Sequence, residues 1–200
     1  DQHLMRWTDV AEAVAHRTVA AWRESMRGIV PADALDRISE RVAVGTAVRM
    51  DDALPLVALA SDAFRKAWDH VVHSPLERGG LLLGEPLVNE PGDGVPAVVV
   101  LRTAVPGLDD DATEYSLRLA AGVWDAARAA LAPGEFVVGW FHSHPDIGAF
   151  FSATDRRTQA GFFHHPFSVG WVIDPVRREQ RWFVGPRSRE LANDGVVPLG

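Results

Sequence analysis

A chain of 200 residues with 47% hydrophobic composition can bury one substantial core and is too short for two ordinary domains. Its formal net charge of -7 offers no basic face to neutralise phosphates, which argues against nucleic acid as a partner. It has no cysteine, so a disulfide framework, a thiol nucleophile and a thiolate zinc site are excluded, and any metal must be held by His, Asp or Glu.

No apolar run approaches the roughly 20 residues of a membrane span, and the opening "DQHLMRWTDVAEAV" is broken by charge, unlike a secretory h-region. These features point to a cytoplasmic protein without membrane attachment. From His3 to about Arg27, apolar residues such as Leu4, Trp7, Val10, Val14, Val19, Trp22 and Met26 recur at helical spacing and predict one amphipathic helix. Gly28 and Pro31 stop it, "ADALDRISERV" predicts a shorter second helix, and the chain is expected to be extended near Val44–Met50. Residues 1–50 thus read as an N-terminal helical extension whose apolar stripe docks on the rest of the chain, residues 51–200.

"LPLVALA" has the length of a buried strand, and Ser61 is expected to cap the helix "DAFRKAWDHVV". "GGLLLGEPL" and "VPAVVVLRTAV", separated by the turn-rich "NEPGDG", predict a hairpin. An acidic, turn-prone "PGLDDDATEY" leads into the helix "SLRLAAGVWDAARAALA", which Pro133-Gly134 ends ahead of the strand "EFVVGWFHSH". "SATDRRTQAGFF" begins a helix, "FSVGWVIDP" is a buried strand closed by Asp174-Pro175, and "QRWFVG" reads as the last strand before fifteen loop-like residues. There is no internal repeat, and the mixture of sheet and helices is α/β or α+β.

The chemistry concentrates in "GWFHSHPDIGAFFSATD". Residues i and i+2 on a strand point to the same side, so His142 and His144 can present two imidazoles to one point while Ser143 faces away. A catalytic zinc typically takes three protein ligands and keeps one open position, so a third ligand is needed. Asp155 is the natural candidate if the loop after Pro145 folds back beside the strand end. The pattern Ser152-x-x-Asp155 is equally a helix start, with Ser as N-cap and an acid in the first turn. His164 and His165 read as surface-loop residues, His70 and His73 as histidines favoured by a helix C-terminal dipole, and Trp140 as core.

"GWFHSHP" and S-x-x-D, with "ERGGLLLGE" far upstream, resemble the signature of the JAB/MPN+ (JAMM) zinc metalloprotease family over about Ala53 to Gly185. That resemblance implies a JAB/MPN-type, cytidine-deaminase-like mixed sheet flanked by helices. It implies one catalytic zinc on His142, His144 and Asp155, Glu77 as general acid/base, and Ser152 helping to stabilise the oxyanion. Glu85 competes for the acid/base role but precedes Pro86 at the far end of its strand, so Glu77 is preferred. Gly79-Gly80 lacks the ending of a phosphate loop and reads as close strand packing.

The resemblance further implies a metallo-isopeptidase or peptidase of bacterial type. It would cut after the C-terminal tail of a ubiquitin-like protein, within a conjugation or defence pathway whose enzymes would contact the N-terminal helix. The aspartates of "AVPGLDDDATEYSL" lie where the family places a substrate-cradling insertion. Two other readings belong to the same resemblance: a processing peptidase for a sulfur-carrier protein, and a non-catalytic MPN scaffold, which generally loses the ligands that this chain keeps.

Overall fold

The structure is a computed structural model that describes residues 15–47, 54–107 and 121–200. Residues 15–17 lie outside any helix and Thr18 makes an isolated parallel bridge to Val88, with Val19 N donating to Val88 O at 2.8 Å and Val88 N donating to Arg17 O at 3.0 Å. The Thr18 hydroxyl then accepts from Ala21 N at 3.1 Å and caps α1, Val19–Ser25. The long helix expected from His3 to Arg27 is therefore limited, among the described residues, to these seven. Thr18, through Arg17 O and Val19 N, pairs with Val88 at the end of a strand instead of continuing a helix, and the part before Ala15 lies outside the described residues.

Gly28, at φ 76°, and Pro31 end this segment as expected, and α2, Ala32–Ala47, follows. It runs past the expected end at Val42, so the extended chain expected near Val44–Met50 is helix as far as Ala47, and the remainder lies outside the described residues. Gly45 is too weak a breaker to stop a helix already anchored by Ala34, Leu35 and Ile38 in the core.

The chain continues as β1 (Leu56–Leu59), α3 (Ser61–Val71), β2 (Gly79–Leu87), β3 (Val98–Pro106), α4 (Ala121–Ala130), β4 (Phe136–Ser143), α5 (Ala153–Phe162), β5 (Val169–Asp174), β6 (Glu179–Val184), β7 (Arg189–Leu191) and β8 (Val196–Pro198). Ala60, not Ser61, is the N-cap of α3, and no side chain caps it. The strands form one mixed sheet in the order β7-β6-β5-β4-β2-β3-β1-β8, with β2 and β3 antiparallel as expected.

β6 is not the last strand. The terminal fifteen residues, expected as loop, supply β7 and β8; β8 runs parallel to β1, and Val197 and Leu199 are buried. Three-residue strands carry too little periodicity to be read from sequence, and only pairing with β1 defines the second of them.

One face of the sheet packs Val57, Leu82, Phe141, Trp171 and Trp182 against α3. The other is covered by α1 and α2 over β1, β3 and β8, and by α4 and α5 over the centre, so the described part of residues 1–50 docks on the sheet. No helix among the described residues is long and apolar enough to cross a membrane. Gly80 bears out the close-packing reading, because a Cβ there would lie 2.1 Å from Val105 O.

Candidate metal centre

β2 and β4 pair antiparallel with Gly79 opposite His142, which sets the entry to β2 beside the exit of β4. Ser143, facing away from the imidazoles as its register requires, locks that junction: its N–H donates to Arg78 O at 2.8 Å and its Oγ accepts from Arg78 N at 2.9 Å. Glu77, next in the chain, is thereby held at the strand ends, its Oε1 4.0 Å from His144 Nε2 and its side chain 40% exposed. His144 N donates to Ile173 O at 2.8 Å, fixing the other side of the junction to β5.

His142, His144 and Asp155 are all buried, and each offers one ligand atom within 4.8 Å of the others. Asp155 Oδ2 lies 3.1 Å from His142 Nε2 and 3.4 Å from His144 Nε2. Asp155 comes from the first turn of α5, where Ser152 is the N-cap in a full capping box: Ser152 Oγ accepts from Asp155 N at 3.0 Å, and Ser152 N donates to Asp155 Oδ2 at 2.8 Å. The helix-start reading of S-x-x-D and the ligand reading thus describe one geometry, because the box aims the carboxylate at the two rings.

Burial alone would raise the Asp155 carboxyl, but the imidazoles of His142 and His144 and the Ser152 N–H outweigh it and hold it well below the usual carboxylate range. Burial lowers the His142 imidazole. Burial also opposes the charged form of His144, yet Asp155 prevails and raises it. An anionic carboxylate beside a neutral imidazole is the ionisation state a divalent metal requires. Neither His142 ring nitrogen has a hydrogen-bond partner among the described residues, although Nε2 faces the carboxylate at 3.1 Å. Two imidazoles and a carboxylate, buried and aimed at each other, fit zinc.

Trp140 is core, fully buried, and it also supports the site: its indole stacks on His142 at 4.3 Å between ring centroids. Trp140 Nε1 donates to Gln159 Oε1 at 2.6 Å, and Gln159 Nε2 donates to Ser168 O at 3.0 Å. Gln159 escaped the sequence reading, though it lies one helical turn beyond Asp155 and so shares its face. Glu85 is engaged elsewhere, its Oε2 accepting from Arg17 Nε at 2.9 Å. His165, expected in a surface loop, is buried and stacks on Phe167 at 4.9 Å, because the loop before β5 folds into the core. The acidic stretch from Leu108 to Tyr115 lies outside the described residues.

Residues 60–184 match the family described as prokaryotic homologues of the JAB domain. The 26S proteasome regulatory subunit rpn11 of Schizosaccharomyces pombe is 30% identical over 151 residues, covering 72% of this chain and 48% of that protein. The ubiquitin carboxyl-terminal hydrolase RPN11 of Saccharomyces cerevisiae is 30% identical over 146 residues, covering 72% and 46%. The chain thus spans about half the length of these curated relatives. The crystal structure of a JAB1/MPN domain protein from Archaeoglobus fulgidus is similar at a TM-score of 0.42 and 14% identity, covering 72% of this chain and 99% of that one.

Proposed function

The chain belongs to the JAB/MPN family, and we propose that it is a zinc-dependent isopeptidase or peptidase that cuts after the C-terminal tail of a ubiquitin-like protein. One observation carries this reading: His142 and His144 from one strand end and Asp155 from a helix start converge, with Glu77 4.0 Å from His144 at the exposed edge. A relative is named a ubiquitin carboxyl-terminal hydrolase, which supports the substrate class.

In this reading His142, His144 and Asp155 hold the zinc, which when bound polarises the scissile carbonyl and lowers the pKa of water towards about 7. Glu77 is exposed enough to reach water and substrate. It takes the proton from the attacking water and returns it to the leaving amine. The Ser152 hydroxyl, already accepting from Asp155 N, keeps its own proton to donate to the developing oxyanion. The extended tail adds as a strand beside the site. We place the reaction in the cytoplasm, in a ubiquitin-like conjugation or defence pathway, with residues 1–50 as an extension able to meet a pathway enzyme.

The test is cleavage of ubiquitin-like proteins carrying C-terminal extensions, read by intact mass. Glu77→Gln is expected to lower the rate by roughly 10²–10⁴-fold while zinc content stays near that of the wild type. Turnover that is unchanged in Glu77→Gln, or in the presence of a chelator, would refute the assignment.

A further inference from the structure

Asp174 closes β5 with none of its surface exposed, and the chemistry above makes no use of it. Its carboxylate accepts four backbone N–H bonds. Oδ1 takes those of Asp146, Val176 and Arg177, each at 3.0 Å, and Oδ2 takes that of Gly148 at 2.8 Å. Val176 and Arg177 belong to its own turn, but Asp146 and Gly148 belong to the turn directly after His144. Arg177 adds a side-chain tie, its Nε 3.3 Å from Asp146 Oδ1 and 3.7 Å from Asp174 Oδ2. Burial would raise this carboxyl; the N–H groups of Arg177, Asp146, Gly148 and Val176 more than reverse that.

The turn so held is one the backbone does not favour by itself. Asp146 stands at φ 61° and Gly148 at φ 92°, both in the left-handed region. Beyond it Ala149 N donates to Glu179 Oε2 at 3.3 Å, Phe150 lies over His144 with centroids 4.8 Å apart, and Ser152 opens the capping box that aims Asp155. The segment joining two of the three converging side chains therefore follows the course that one buried carboxylate gives it.

We propose that Asp174 is a positioning residue for the metal centre: by clamping the 146–148 turn to the end of β5, it sets the approach of His144 to Asp155. This rests on the reading that the site binds zinc, and Asp174 itself touches neither metal nor substrate. An amide cannot replace it, since Asn has one acceptor oxygen and would turn its NH2 against at least the Gly148 N–H, or against the other three if its oxygen stood in for Oδ2.

The experiment compares zinc affinity, by competition with a chromophoric chelator, in the wild type, Asp174→Asn and Val197→Ala. The last is buried in β8, beside β1 at the sheet edge remote from the site, and controls for lost stability alone. Amide exchange at Asp146 and Gly148 is followed in the same proteins. Asp174→Asn is expected to weaken zinc binding ten- to a hundredfold, the range for residues that orient ligands, and to speed both amides at least tenfold; Val197→Ala changes neither. A folded Asp174→Asn protein that binds zinc within twofold of the wild type overturns this inference alone. A wild type that takes up no zinc overturns the functional reading beneath it. If Asp174→Asn does not fold, Gly148→Ala decides, since it strains the same turn while leaving Asp174 intact: an affinity loss of at least threefold supports the clamp, and an unchanged affinity overturns it.

Discussion

Replacing Gln159 by Met removes the two polar contacts beneath the metal centre while keeping the side chain's length and bulk. Gln159 and Trp140 have no exposed surface and Ser168 is 2% exposed, so neither former partner gains water in exchange. The Trp140 Nε1–H loses its acceptor at 2.6 Å, while the Ser168 carbonyl loses the Gln159 donor at 3.0 Å but keeps the Gly185 N–H at 2.9 Å. The unpaired Trp140 N–H costs about 1–3 kcal/mol and the bond lost at Ser168 about 0.5–1.5 kcal/mol, so together they are expected to cost about 1.5–4.5 kcal/mol. For a chain of 200 residues, each kcal/mol shifts the melting temperature by about 2–4 °C, so thermal unfolding of the metal-free variant should drop by roughly 3–18 °C. Urea unfolding followed by circular dichroism gives the free energy directly. A loss below about 0.5 kcal/mol would refute the claim that these two bonds are closed off from water.

Gly170→Ala would place a Cβ 2.4 Å from Phe151 Cζ and 2.8 Å from Gln159 Oε1; overpacking of about 1–3 kcal/mol is expected, together with weaker zinc uptake, read by urea unfolding and metal analysis. Asp155 raises the His144 imidazole above its usual value of about 6.5, so at pH 6.5 the metal-free protein favours the protonated ring, and zinc binding is expected to displace that proton. Calorimetry in buffers of different ionisation heat should detect that proton, and apparent zinc affinity should rise as pH passes 6.5 and above. In the metal-free protein the same raised group adds stability below pH 6.5 that is lost as pH rises through its folded value. Asp174 has the opposite sign: its folded value is depressed, so its stabilisation is complete above about pH 3.9 and is lost as pH falls through the folded value. The stability gap between the wild type and Asp174→Asn, measured by urea unfolding across pH, should therefore be constant near neutrality and close in acid.

The convergence of His142, His144 and Asp155 was legible because two signals of fixed period specify it: alternation along β4 puts both histidines on one side, and the S-x-x-D capping box aims Asp155. The central strands and the β2–β3 hairpin were legible as apolar runs bounded by turn residues. What escaped was decided by contacts distant in sequence. Thr18 leaves the helical pattern because Val88 offers it a partner, and Val197 becomes a strand residue only beside Ala58. Asp174 read as a turn residue before proline, and its bonds to Val176 and Arg177 have that local form. Its bonds to Asp146 and Gly148, 28 and 26 residues away, left no local mark.

Metal analysis of the purified protein is the most direct measurement. One zinc per chain is expected, lost in His142→Ala, His144→Ala and Asp155→Ala while each variant remains folded. A folded wild-type protein that takes up no zinc, or full zinc retention in all three variants, would contradict the account.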